Sequence, residues 1–145
     1  MKFWKNFFVK MTKFFVFDTN VLISAAIRKD SVSRKAYDKA MSNGLVIRSE
    51  ETLMEFATRL AKPKFDKYLL PQEKVVAISL FKSKSALVNP SVSVKACRDP
   101  DDDKFLSVAV AVGATCIVTG DGKLQELHPF RGIPILSPTD FLKMF

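Results

Sequence analysis

The sequence predicts an α/β protein, a three-layer α/β/α sandwich around a central parallel sheet of about five strands. Two observations carry this expectation. The strand-forming runs Phe14-Phe15-Val16-Phe17 and Cys116-Ile117-Val118 are continuously apolar rather than alternating, which suits strands covered on both faces. Between such runs lie stretches of helical periodicity, and right-handed crossovers then bring every strand's carboxyl end to one side of the sheet. Both runs break off there in polar residues, Asp18-Thr19-Asn20 and Thr119-Gly120-Asp121. Ligands bind along that edge in open parallel sheets. Asp18 or Thr19 also suits the cap of the next helix, so the first run alone does not separate capping from function.

Taken in order, Asn20 to Arg28 reads as a short helix, and Lys29-Asp30-Ser31 as a turn. Ser31 or Ser33 can cap a second helix over Val32 to Met41, which Asn43-Gly44 would close with a residue tolerant of positive φ. Leu45-Val46-Ile47 is a short strand. Ser49 opens a third helix, in which Leu53, Phe56, Ala57 and Leu60 recur at the spacing of a core-facing stripe. Glu55 lies off that stripe, where periodicity makes it a solvated partner of Arg59 four residues on. Pro63 ends the helix, and Pro71 starts a fourth that runs to about Lys84. Val92 to Cys97 alternates apolar and polar residues as a third strand would. A largely apolar helix follows from Phe105, closed by Gly113; Thr115 to Val118 is a fourth strand. Ile133 to Leu136 is an edge strand that tolerates Pro134, and Ser137 to Met144 is a closing helix.

Charge points to the partner. The chain carries a formal net charge of +8, and a basic surface attracts polyanions, nucleic acid first among them. Against that background the run Asp99-Pro100-Asp101-Asp102-Asp103 stands at a helix N-terminus. The helix dipole favours a carboxylate there by only ~0.3–1 kcal/mol, and a cap needs one acid, not four. A bound cation explains the cluster better, because it turns repulsion into coordination. The single histidine, His128, excludes a zinc site built on several imidazoles and sits before Pro129 as a surface residue. Cys97 and Cys116 lack metal-ligand spacing and read as buried thiols in a reducing, cytoplasmic compartment. No run approaches the ~18 apolar residues of a membrane span. Residues 1–10 mix Phe3, Trp4, Phe7 and Phe8 with lysines and form a basic-aromatic arm, which either lies on an anionic surface or packs on the domain; Met11 is an alternative start for a domain over 11–145.

These residues resemble a known family. Phe17-Asp18-Thr19-Asn20-Val21-Leu22, the segment 49–65 with Glu55 and Lys64-Phe65, the run Arg98 to Leu106 and Val118-Thr119-Gly120-Asp121 are together similar to PIN-domain nucleases over about residues 13–142. The nearest likeness is to bacterial and archaeal PIN proteins assigned as toxins of toxin–antitoxin pairs. The resemblance implies a metal-dependent endoribonuclease acting on RNA with Mg²⁺ or Mn²⁺, a small antitoxin protein as partner, and a homodimer. Carried over by position, its acids are Asp18, Glu55, Asp103 and Asp121, with Asp18, Asp103 and Asp121 on metal and Glu55 on a second metal or a water. Asn20 and Thr119 match the supporting polar positions, while Asp99 and Asp102 are additional acids that leave the choice of Asp103 open. Arg28, Arg34, Arg59, Lys104 and Lys123 are candidates for gripping the phosphate backbone.

Other acid-bearing α/β classes fit worse. A receiver domain needs its aspartate after a central third strand, a haloacid-dehalogenase phosphatase needs a second aspartate where Asn20 stands, and a dinucleotide-binding domain needs a glycine-rich first turn. The alternative that stays open is a non-catalytic RNA-binding or protein-binding module that keeps the same fold.

Overall fold

The computed structural model describes residues 12–145 and contains five strands and seven α-helices. In chain order these are β1 (Lys13–Phe17), α1 (Thr19–Ile27), α2 (Val32–Asn43), β2 (Gly44–Arg48), α3 (Glu50–Leu60), α4 (Pro71–Lys84), β3 (Ala86–Leu87), α5 (Asp103–Val112), β4 (Cys116–Val118), α6 (Gly122–Gln125), β5 (Ile135–Leu136) and α7 (Pro138–Met144). Single 3₁₀ turns at Pro63–Phe65 and Pro100–Asp102 precede α4 and α5. The arm read at residues 1–10 lies outside the described residues.

All strand pairs are parallel, in the order β3-β2-β1-β4-β5. β1 is central, with Phe15 opposite both Val46 and Cys116 and Phe17 opposite Val118. Alternation along β1 sends its side chains into two cores. Phe15 and Phe17 join Leu22, Phe56, Leu60 and Phe141 on one face, whereas Val16 joins Phe105, Leu106, Ile117 and Leu124 on the other. Helices therefore cover both faces, which is why β4 and the buried part of β1, Phe15 to Phe17, carry no polar residue. Phe15 is fully buried and meets the Phe141 ring edge-on at 5.4 Å, so truncating it to alanine would cost about 3–5 kcal/mol.

Serine caps fix the starts of three helices: Ser31 accepts from Arg34 N–H, Ser49 from Thr52 N–H and Ser137 from Asp140 N–H. Gly113 closes α5 with φ 60°, the left-handed conformation that glycine adopts without strain.

Three expectations need correction. The second helix runs through Asn43, and Gly44 is extended at φ 178° rather than left-handed. Glycine is required there for a different reason: a Cβ would stand 2.1 Å from the Lys13 carbonyl oxygen, across the closest approach of β1 and β2. Residues 92–97 do not form a strand. Their backbone donors go to side chains of α5, Val94 N–H to Ser107 Oγ at 2.8 Å, and Ala96 and Cys97 N–H to Asp103 Oδ1 at 3.0 and 2.7 Å. The short β3 at Ala86–Leu87 pairs with β2 instead.

Candidate functional site

β1 and β4 end side by side, and the residues at their tips form the centre of the site. Asp18 is 4% exposed. It caps α1, accepting the Val21 N–H at 2.9 Å on Oδ1, and its Oδ2 accepts the Thr119 hydroxyl. Burial raises its pKa above the ordinary value of 3.8, while Thr119 and Val21 pull it back. Thr119, fully buried just past β4, also accepts the Asp121 N–H at 3.0 Å, so one hydroxyl fixes both strand tips relative to each other.

Asp121 caps α6 and accepts Lys123 N–H at 2.9 Å. Asp99, Asp102 and Asp121 each offer a carboxylate oxygen such that these oxygens lie within 4.8 Å of one another. With both carboxylates ionised, Asp102 Oδ2 is buried and accepts from no N–H or hydroxyl group. Burial, then the neighbouring Asp121, push the Asp102 carboxyl up to about 7, and the hydrogen bond from Asp102 holds Asp121 below 3.8. Carboxylates this close disfavour carrying full charge together, a repulsion that a bound cation would relieve.

The structure does not bring Asp103 into this group. Its Oδ1 is turned to the Ala96 and Cys97 N–H groups. The 3₁₀ turn Pro100–Asp102 directs Asp102, rather than Asp103, toward Asp121, and Asp99 supports that turn by accepting Asp101 N–H at 3.1 Å.

Glu55 lies to one side of the strand tips. Its side chain is 11% exposed, far from the solvated partner that periodicity suggests. Oε1 accepts the Thr19 hydroxyl at 2.5 Å and stands 3.6 Å from Arg59 Nη2, while Oε2 is ion-paired with Lys104 Nζ, itself 13% exposed. Arg59 Nη1 also lies 3.5 Å from Asn20 Oδ1. Thr19, Arg59 and Lys104 thus surround Glu55, Asn20 lies against Arg59, and Lys123 stands beside Asp121. Arg28 is elsewhere, and Arg34 has an acidic partner on its own helix. Arg28 follows the last turn of α1, ~15 Å along the helix from Asp18, and Arg34 is paired with Asp38 at 3.1 Å. Sequence spacing puts Arg28 ten residues from Asp18, and the straight helix between them carries it away from the strand tips.

A cleft of about 500 Å³ is lined by residues 93–97 with Asp103, Lys104 and Ser107, and holds none of Asp18, Asp99, Asp102 or Asp121. Cys97 forms part of its wall, donates to the Lys123 carbonyl at 3.6 Å and is raised by burial. Among the described residues, no helix is long and apolar enough to cross a membrane.

A doubly covered parallel sheet with a carboxylate cluster at its strand tips defines a carboxylate-centred α/β protein, and the comparisons narrow the class. The PIN domain profile matches residues 15–123, and the chain belongs to the PIN domain family. It is 37% identical over 115 residues, 78% of this chain and 74% of the relative, to the uncharacterized protein MJ1680 of Methanocaldococcus jannaschii. Two solved structures share the fold. VapBC2 from Rickettsia felis, bound to a DNA fragment from its promoter, matches with TM-score 0.59 at 14% identity, over 84% of this chain and 96% of that one. VapBC-1 from nontypeable Haemophilus influenzae matches with TM-score 0.58 at 13% identity, over 87% and 98%.

Proposed function

We propose that this chain is a divalent-metal-dependent endoribonuclease acting as the toxin of a toxin–antitoxin pair. The observation that carries the reading is the buried Asp102 Oδ2, without an N–H or hydroxyl donor, inside the Asp99–Asp102–Asp121 group, beside buried Asp18 at the strand tips. An acidic, oxygen-only donor set of this kind fits Mg²⁺ or Mn²⁺, which prefer carboxylate and water ligands. Asp18, Asp102 and Asp121 would hold the ion, with Asp99 beside them. Bound there, such an ion supplies a water of lowered pKa and charge stabilisation on the phosphate.

The chain's own residues do the rest. Val21 N–H and the Thr119 hydroxyl favour the ionised form of Asp18 against the effect of burial and fix its orientation. Glu55 orients Lys104 and Arg59 at the rim, where their charges would meet the phosphate backbone. Asp103 has a separate task, tying the 96–97 backbone to α5 so that the preceding turn presents Asp102.

The VapBC neighbours, both complexes of a toxin–antitoxin type, support a small antitoxin protein as partner. The test is cleavage of RNA by the purified protein with Mn²⁺, beside EDTA and Asp18→Asn. Cleavage that needs Mn²⁺ and Asp18 is expected. RNA binding without cleavage under any metal would make the chain a binding module instead.

A further inference from the structure

A second feature lies beyond the carboxylates, on the far side of Arg59. α3 ends at Leu60, and the chain turns through Lys62 into the 3₁₀ turn Pro63–Phe65. There, a pocket of about 160 Å³ is lined by Asn20, Ile23, Arg59, Lys62, Lys64 and Phe65. Three of its walls are cationic, one is an amide, and none is a carboxylate. At ~30 Å³ per water its volume equals about five waters, room for one phosphate group with little besides.

The cations there are not explained by the fold. A helix's carbonyl end favours a positive charge by ~0.3–1 kcal/mol within its last turn, which accounts for Arg59 and not for Lys62 or Lys64. Ion pairing does not account for them either. Neither ammonium is paired with a carboxylate among the described residues, and residues 1–11 contain no acid. The backbone that presents them is fixed, because Phe65 packs against the core and its carbonyl accepts Tyr68 N–H at 3.0 Å. The Lys64 ammonium lies over the Phe65 ring, 5.1 Å from its centroid, a contact that leaves its charge uncompensated, and concentrating like charges around a pocket opposes folding unless an anion comes to it.

Position supplies the rest. Arg59 spans the two regions, with Nη2 3.6 Å from Glu55 Oε1 and Nη1 3.5 Å from Asn20 Oδ1. Asn20 is two residues from Asp18. The pocket therefore opens one step along the surface from the carboxylates, in the direction a nucleic-acid backbone would leave them.

Resting on the ribonuclease reading, we infer that this pocket is a phosphate subsite: Arg59, Lys62 and Lys64 take the phosphodiester of a nucleotide flanking the one held over Asp18, Asp102 and Asp121. The pocket sets the path of the strand. It does not read sequence, because phosphate contacts carry none.

The test is binding of a short fluorescent single-stranded RNA, and of DNA of the same sequence, by anisotropy across a salt series with Ca²⁺ in place of Mn²⁺. Lys62→Ala/Lys64→Ala is compared with Lys39→Ala/Lys143→Ala, a control pair near the opposite edge of the sheet, where α2 leads into Gly44 and α7 ends. The subsite variant should bind both strands about tenfold more weakly than wild type and lose ~0.7 per contact, about 1.4 in all, from the salt slope. The control should match wild type. A subsite variant indistinguishable from the control overturns the inference and leaves the ribonuclease reading standing. A loss confined to RNA overturns it as well, since the contact would then be to the 2′-hydroxyl. A wild type that neither binds RNA with Ca²⁺ nor cleaves it with Mn²⁺ overturns both.

Discussion

Neutralising Asp102 and neutralising Asp103 should move the stability of the metal-free protein in opposite directions. The two residues are adjacent in sequence and opposite in environment. Asp102 faces Asp99 and Asp121 with a buried oxygen lacking any donor, and its carboxyl is pushed up to about 7. A folded-state pKa above the unfolded value of 3.8 means that the folded protein holds a proton the unfolded chain releases. The resulting stabilisation is complete below about pH 4 and lost as pH rises through about 7. Going from 3.8 to about 7 corresponds to a ceiling of ~4 kcal/mol. Asp102 is only half-buried and Asp121 shifts the other way, so solvent screening and that offset leave on the order of 1–2 kcal/mol.

Asparagine imitates the protonated carboxyl, since its amide can donate to Asp121. In EDTA at pH 8, Asp102→Asn should therefore melt roughly 4–8 °C above wild type, and at pH 5 the gain should shrink toward zero. Asp103 behaves otherwise because its Oδ1 accepts two backbone N–H groups. Asp103→Asn keeps an acceptor and loses the charge that strengthens both bonds, together with its place at the start of α5, a cost of about 1–2 kcal/mol. Differential scanning calorimetry reads both. Adding Mn²⁺ should then reverse the first ranking: wild type gains ~2.7 kcal/mol at a hundredfold excess over Kd, and the variant gains less. An Asp102→Asn midpoint at or below wild type in EDTA at pH 8, or an Asp103→Asn midpoint above it, would refute the assignment of the two acids.

Three further outcomes follow from the same geometry. Because Asp102 must shed its proton to hold a cation, Mn²⁺ affinity by calorimetry should rise up to about tenfold per pH unit below about pH 7 and level off above it; a flat profile from pH 6 to 8 would contradict this. Glu55→Gln leaves Lys104 unpaired in a mostly closed position, so it should cost about 1–3 kcal/mol of stability and lower cleavage by at least ~10²-fold. If Glu55 works through Lys104, adding Lys104→Met to that variant should lower cleavage little further, whereas independent roles would multiply. Gly44→Ala would force a methyl group to 2.1 Å from the Lys13 carbonyl, and its loss in urea unfolding should reach or exceed the ~1–3 kcal/mol of ordinary overpacking.

The sheet was legible in the sequence because a strand buried on both faces has little choice of composition. Phe15 and Phe17 serve one core and Val16 the other, so every position must be apolar until the strand emerges at Asp18. Chirality then aligns the tips, which is why Asp18 and Asp121 could be placed together across about a hundred residues of chain. Legibility stopped where one side chain changes the backbone's options. The alternation over 92–97 is real, but Asp103 and Ser107 take the N–H groups that a strand would give to its neighbour. The same acid is the one that positional transfer names, and here its Oδ1 is turned to the 96–97 backbone. At that junction the 3₁₀ turn over Pro100–Asp102 presents Asp102 to Asp121. Lys62 and Lys64 gave no signal beyond their charge, since nothing in a linear pattern says that Asn20 closes a pocket with them.

Glu55 shows why two sound readings of one residue can disagree. Periodicity counts only the stripe, and it is right about the stripe: Leu53, Phe56 and Leu60 are buried, and Glu55 is not among them. It then assumes that whatever is off the stripe meets water. That holds for a helix with one neighbour, but α3 packs against α1 on one flank while α5 brings Lys104 to the other, so its off-stripe residue is closed in from two sides. A carboxylate in such a place is stable only with donors, and Thr19, Arg59 and Lys104 supply them from three different elements. The Glu55–Arg59 pair that helical spacing suggests does exist, at 3.6 Å. It is one bond of a network that joins α1, α3 and α5 across the rim of the site, and the network, rather than the pair, is what a substitution at Glu55 would break.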